Sequence, residues 1–324
     1  MNQQNTLQVW VNEKYVPYNQ ATVPIRSHTL HYGTGAFEGI RSYETPLGTA
    51  VFRLNDHVNR LFYSAESIGI QMPYTREDVA KAILDTLQVN RIGNGYIRPI
   101  VFVGDVLYHL NLAKNQRDNP GSVNLAIIVG PFNYFDVDMK VHVSRWRRIP
   151  PDCVPVEAKL TGPYVTSTLA ATEAGEFYRV PEALQLDING NVAEGPGENL
   201  FIVSGRKLKT PPRGFILPGL TRDAVIQLAK FRGIEVDDQH HFTIDEVMNT
   251  ADEALFSGTA IEVYPIIGIN RKPVGKGEMG EITALLQRDY AQLVRGQLML
   301  PGAEEWVSFV PKTATLDEKV QASL

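Results

Sequence analysis

Apolar and polar positions along this chain follow two rhythms. Residues 7–11 set Leu, Val and Val against Gln and Trp, a period of two that predicts a half-buried strand. Residues 50–54, 96–104 and 124–130 are strand-like as well. Between them the spacing becomes helical. Over 55–68, Val58, Leu61, Phe62, Ala65 and Ile68 share one stripe. A second helix is predicted over 75–87. Thr75 and Asp78 stand at capping-box spacing, and Glu77 lies in the first turn, where the helix dipole favours an acid. Further on, a strand is predicted over 141–146, a helix over 166–177 and hairpins over 183–209. The next helix, 221–232, has Val225, Leu228, Ala229 and Arg232 in register. Thr243 and Glu246 cap another. The last, 281–295, turns Ile282, Leu285, Leu286 and Leu293 to the core.

Strands and helices thus interleave in both halves, without the strict strand–helix–strand alternation of a doubly wound sheet. This predicts an α+β protein of two domains. The expected division is a smaller N-terminal α/β unit at 1–131, a connector at 132–139 that follows Pro131, and a larger unit at 140–324. The segment 105–122 is polar, irregular towards its end and long for an internal loop, which predicts a functional or mobile one.

A length of 324 residues fits two domains, and 44% hydrophobic with 21% charged residues describes a globular core. A formal net charge of −5 argues against nucleic acid or an anionic membrane as partner. The lone Cys153 excludes an internal disulfide framework and fits a reducing compartment. No apolar run approaches the ~20 residues that span a bilayer, and the N-terminus has no signal-peptide pattern. The expectation is a cytoplasmic protein.

Common nucleotide, zinc and serine-hydrolase motifs are absent. The seven histidines include no zinc spacing, so no metal site is expected; the adjacent His240 and His241 would face opposite ways in a strand. Four segments carry the chemistry instead. AKLTGPY (158–164) sets Lys159 between Ala and Leu after a proline-rich run. It reads either as a surface lysine or as a Schiff-base lysine tuned by burial. NVAEGPGENLF (191–201) places Glu194 beside glycines that let backbone approach a ligand. LPGLTRD (217–223) sets Thr221 at a helix start, where free N–H groups favour an anion. SGTA (257–260) is a small-residue turn whose amides can form an anion nest.

Together with HYGTGAFEGIRSY (31–43), these segments resemble the branched-chain amino-acid aminotransferases, fold type IV enzymes that use pyridoxal 5′-phosphate. The likeness runs from about residue 7 to 300. It implies that Lys159 is the catalytic lysine that bonds the cofactor, and that Arg60, Leu220, Thr221 and Thr259 hold its phosphate. It likewise implies Glu194 at the pyridine nitrogen and Tyr164 beside the ring oxygen. Arg60 lies off the apolar stripe, which leaves its side chain free to reach a ligand. A buried carboxylate such as Glu194 keeps the pyridine nitrogen protonated, as an electron sink requires.

The substrate pocket is expected to use Tyr32, Phe37, Gly39, Tyr96 and Arg98, with the 258–260 turn, Gly258, Thr259 and Ala260, on the α-carboxylate. Tyr96, Arg98 and Ile100 share one strand face. Pro99 beside them marks an edge or a bulge. D-amino-acid transaminases carry an R-x-H pair here; this chain has Arg98-Pro99-Ile100, which argues against D-specificity. The alternative readings are an aminodeoxychorismate lyase, a transaminase for aromatic, (R)-amine or D-amino-acid substrates, or a non-catalytic relative kept for binding. The departures from the family pattern are the 105–122 loop with Tyr108 and His109, the 130–135 connector with Phe132 and Tyr134, and Gly162-Pro163-Tyr164. Tyr134 is the candidate replacement for a connector tyrosine that assists Arg98. The expected activity is transfer of the amino group of leucine, isoleucine or valine to 2-oxoglutarate, by a homo-oligomer whose other partners are amino acids and 2-oxo acids.

Overall fold

The computed structural model describes residues 7–106, 109–132 and 136–311. Among these residues the architecture is α+β, built on two sheets. The first has eight strands, all paired antiparallel, in the order Val307–Phe309, Gly48–Phe52, Ile40–Thr45, Gly95–Val103, Val123–Pro131, Gln8–Val11 and Lys14–Pro17; Gly35–Phe37 also joins Gly95–Val103. The second has ten strands and mixes parallel with antiparallel pairs.

Helices Leu54–Ser67 and Arg76–Asn90 cover one face of the first sheet, burying Val58, Leu61, Phe62, Val79 and Ile83 against Ile40, Ile97 and Val101. The second helix opens with the capping box expected of it, Thr75 and Asp78 satisfying each other's backbone N–H. A separate core packs Met139, Leu184, Leu200 and Phe256 inside the second sheet. A third joins the halves: Tyr43, Ala50 and Phe52 meet Phe201, Leu228, Leu286 and Tyr290. The strand Val307–Phe309 returns from the C-terminal half to pair with Gly48–Phe52.

Two expectations change in detail. The 105–122 segment folds in part: Leu112–Asp118 is a helix, because the Asn111 side chain accepts the Lys114 N–H at its start. The helix expected over 166–177 begins at Tyr164 and widens into a π-turn over Glu173–Tyr178. There the buried Glu173 carboxylate accepts the Ser144 hydroxyl at 2.5 Å. Tyr108 and Tyr134 lie outside the described residues.

The strand Gly95–Val103 shapes the site. Gly35–Phe37 and Ile40–Thr45 run along its same edge in one register, with Phe37 opposite Ile100 and Ile40 opposite Ile97. The interruption at residues 38–39 faces Pro99, which has no N–H to give. Pro99 is buried in a central strand rather than at an edge, and its carbonyl takes the Glu38 N–H at 2.9 Å. The period of two then sorts the side chains. Phe37, Gly39, Tyr96 and Arg98 face one side. Glu38 faces the other, where helix Leu54–Ser67 packs.

Candidate active site

Lys159 stands where the two halves meet. Its carbonyl accepts the Phe37 N–H at 3.1 Å and its own N–H goes to Ser64 Oγ at 2.9 Å. The chain on either side is fixed as firmly: Gly162 N–H donates to Gly33 O at 3.0 Å, and a Cβ on Gly33 would lie 2.7 Å from Gly162 Cα. Gly33 also has a positive φ of 65°, so its lack of a side chain is required twice over. Held this way, the Lys159 side chain enters a cavity, and Nζ lies 2.7 Å from the Tyr164 hydroxyl.

At one end of the cavity is Arg60. It is not free, as its place off the apolar stripe suggested. Glu38 accepts Arg60 Nε at 2.6 Å and Nη2 at 2.8 Å, and Pro218 O accepts Nη1 at 3.0 Å. His57 Nδ1 lies 2.8 Å from the same carboxylate. Burial alone would push the Glu38 carboxyl up, but the charge and hydrogen bonds of Arg60 and His57 hold it well below the usual carboxylate range. Burial lowers His57, and the Glu38 charge opposes that shift. Next to Arg60 lies the start of helix Leu220–Phe231. No side chain caps it, so its first-turn N–H groups remain available to an anion. Gly219 precedes it because a Cβ there would strike Asn199 Oδ1 at 2.0 Å. Thr221 is buried, its hydroxyl 3.4 Å from that of Tyr290.

At the other end, in a recess that adjoins the cavity, is Glu194, also buried. It accepts Asn199 Nδ2 at 2.8 Å and the Leu217 N–H at 3.1 Å, and Arg148 Nη2 lies 2.7 Å away. Burial pushes its carboxyl up; the Arg148 charge opposes the shift without cancelling it. Glu198 lines the same cavity, and burial together with the Glu182 carboxylate pushes it up to about 8.

On the wall between the ends, Arg98 Nη2 donates to the Tyr96 hydroxyl at 2.7 Å, and its guanidinium lies 4.7 Å over the Phe37 ring. Gly39 makes room for that hydroxyl: a Cβ there would come within 2.1 Å of it. No carboxylate pairs with Arg98 among the described residues. Ser257, Gly258, Thr259 and Ala260 also line the cavity. Arg98 Nε and Ser257 Oγ are buried without a hydrogen-bond partner among the described residues. The donor set therefore suits a ligand with a dianionic group at the Arg60 end, a carbonyl near Lys159 Nζ and a basic ring nitrogen at Glu194, a description that pyridoxal 5′-phosphate meets.

Of the residues singled out from sequence, Arg60, Lys159, Tyr164, Leu220, Thr221, Thr259, Phe37, Gly39, Tyr96, Arg98, Gly258 and Ala260 line one cavity. Glu194 lines the adjoining recess with Tyr164, Asn199 and Leu217. Tyr32 does not: it is 42% exposed on helix His28–Tyr32, against the His28 and His31 rings. His240 pairs with Asp237, away from the cavity. Sequence reading missed Glu38, His57, Arg148 and Glu198. Glu198 carried a signal, since it closes the same glycine-rich turn as Glu194. Arg148 carried none that sets it apart from neighbouring Arg145 and Arg147.

Residues 35–269 match the family model described as amino-transferase class IV. The branched-chain-amino-acid aminotransferase of Salmonella typhimurium is 37% identical over 298 residues, which cover 89% of this chain and 93% of that protein. Among solved structures, the branched-chain amino acid aminotransferase from Escherichia coli superposes with a TM-score of 0.87 at 36% identity, covering 95% of this chain and 100% of that one. The branched-chain amino acid aminotransferase from Thermobaculum terrenum, solved in its PLP form, gives a TM-score of 0.85 at 30% identity over 95% of this chain and 100% of that one.

Proposed function

Because the chain belongs to the class IV amino-transferase family, we propose that it moves the amino group of leucine, isoleucine or valine to 2-oxoglutarate, and back, with pyridoxal 5′-phosphate as cofactor. The observation that carries the substrate reading is the cation on an apolar wall: Arg98 beside Phe37 and Tyr96, with no carboxylate partner among the described residues. Such a wall takes a branched aliphatic side chain by burial and a glutamate side chain by charge. The placement of Ile100 on this face, where D-specific relatives carry histidine, favours L-amino acids.

When bound, the cofactor supplies a carbonyl that takes up the amino group and a ring that accepts electrons. The residues supply the rest. Lys159 Nζ would hold the cofactor, and its amine is the group placed to move a proton at the substrate Cα. The Tyr164 hydroxyl, 2.7 Å from Nζ, orients that amine. Glu194 keeps the ring nitrogen protonated. Arg60 and the N–H groups of Leu220 and Thr221 hold the phosphate, with Thr259. Amides of the 258–260 turn receive the substrate α-carboxylate. Units 1–131 and 140–324 act as the two domains, joined by 132–139, with the site between them, although Val307–Phe309 of the second unit pairs into the sheet of the first. No helix among the described residues is long and apolar enough to cross a membrane, and the proposal places the enzyme in the cytoplasm. The exposed Ile25, Leu30 and Tyr32 support self-association.

Three experiments test this reading. Borohydride reduction followed by peptide mass spectrometry finds the cofactor on Lys159, and Lys159→Ala loses transamination by many orders of magnitude while remaining folded. A label on another lysine ends the assignment. Arg98→Met raises the KM for glutamate and 2-oxoglutarate about 10- to 1000-fold and changes the leucine half-reaction far less. Equal losses for leucine and glutamate in single-turnover assays refute the two-substrate wall.

A further inference from the structure

Glu38 has no role in the chemistry above, yet its pair with Arg60 is among the most completely buried charge pairs of the described residues. We propose that Glu38 is the positioning residue of the phosphate site: it fixes the Arg60 guanidinium before the cofactor arrives. This rests on the reading that Arg60 receives the cofactor phosphate.

The geometry leaves little alternative for that carboxylate. Glu38 is 0% exposed and turned into the helix-covered face of the sheet by the strand alternation around Pro99. It takes Arg60 through Nε and Nη2, while Pro218 O takes one N–H of Nη1. A guanidinium has five N–H donors, so one remains on each of Nη1 and Nη2. Those two are left for an oxyanion, and Arg60 lines the cavity beside Leu220 and Thr221. His57 Nδ1, 2.8 Å from Glu38, fixes the carboxylate in turn. A long side chain ordinarily loses rotamer freedom when it clamps a ligand; here that freedom is already gone.

Positioning and bare electrostatics predict opposite signs for the loss of the Glu38 charge. Glu38 is an anion, and a phosphate is a dianion on the far side of the same arginine. If Glu38 acted only through its charge, Glu38→Gln would bind pyridoxal 5′-phosphate more tightly. Positioning predicts the opposite, a loss of about 10- to 100-fold, as is typical for a residue that orients a ligating group. Affinity of the stripped full-length protein for pyridoxal, which lacks the phosphate, stays within about twofold of wild type. Where Glu38→Gln folds poorly, Glu38→Asp serves: it keeps the charge but withdraws it by one methylene, and it too loses affinity for the phosphate-bearing ligand alone. Fluorescence titration of each variant with both ligands, with melting curves to measure the folded fraction, decides. Tighter or unchanged binding of pyridoxal 5′-phosphate overturns the proposal, as does an equal loss for pyridoxal. Unchanged binding by Arg60→Ala instead overturns the phosphate reading beneath it.

Discussion

The two ends of the cavity bury a carboxylate beside an arginine, and the two carboxylates come out differently. At the phosphate end Glu38 is held below the ordinary range; at the ring end Glu194 is pushed above it. Burial opposes charge at both. The difference lies in the donors. Glu38 receives a two-point contact from Arg60 and a third from His57. Glu194 receives one close arginine nitrogen and neutral amide donors, with Glu198 among its neighbours. One end is therefore neutralised within the protein, whereas the other retains a demand for a further cation. A protonated ring nitrogen meets that demand. The cavity carries charge at both ends of a partly apolar wall, and those charges differ from end to end.

The largest test of this contrast is at the ring end. Glu194→Gln removes the charge but keeps the shape, and turnover falls by about 10²- to 10³-fold, the scale of losing one preorganised electrostatic partner. The absorption spectrum of the bound cofactor changes with it. Unchanged turnover makes Glu194 a turn residue and removes the contrast. Next comes Arg60→Ala, which weakens cofactor binding about 10- to 150-fold through loss of a charge-assisted contact worth roughly 1.5–3 kcal/mol. The fraction that stays bound keeps a wild-type spectrum, because the ring end is untouched. Spectral change in both variants would show that the ends are not separable.

The smallest effect is on stability and concerns Glu198. Its folded value of about 8 lies above the ordinary 4.5, so between those pH values the folded state binds more protons than the unfolded one. Stability therefore falls as pH rises through that window. Glu38 has the reverse sign: its contribution is complete above the ordinary range and is lost only as pH drops through its depressed value. Around Glu198 the facing charges are Glu182, Glu194 and Lys159. Glu198→Gln cannot titrate, so its melting temperature gains on that of the wild type as pH rises from the ordinary value of 4.5 to about 8. A gap that stays constant over that range places Glu198 outside the titrating set.

Much of the fold was legible because its signals are local. The stripe of Val58, Leu61, Phe62 and Ala65, the Thr75–Asp78 box and the Thr243 cap are each written within a few residues, and each is found where expected. The alternation over Gly95–Val103 also put Tyr96 and Arg98 on one face. Of the proposed site residues, Glu194, Thr221 and Thr259 stood out through small-residue turns or a helix start, whereas Arg60, inside a helix, was proposed only through the family resemblance.

What the tertiary structure alone decided is pairing at long range. Nothing near Arg60 in the sequence shows that Glu38 waits for it across a sheet–helix interface, and its polar place on the helix suggested freedom instead. Arg148 meets Glu194 only because the segment after Lys140–Val143 is drawn along Glu182–Leu186, where the Arg148 N–H bonds Leu186 O at 3.0 Å. The strand Val307–Phe309 finds Gly48–Phe52 from the far end of the chain. Periodicity specifies which face of an element is buried. It does not specify which other element covers that face, and the partner of a buried charge is fixed by that cover.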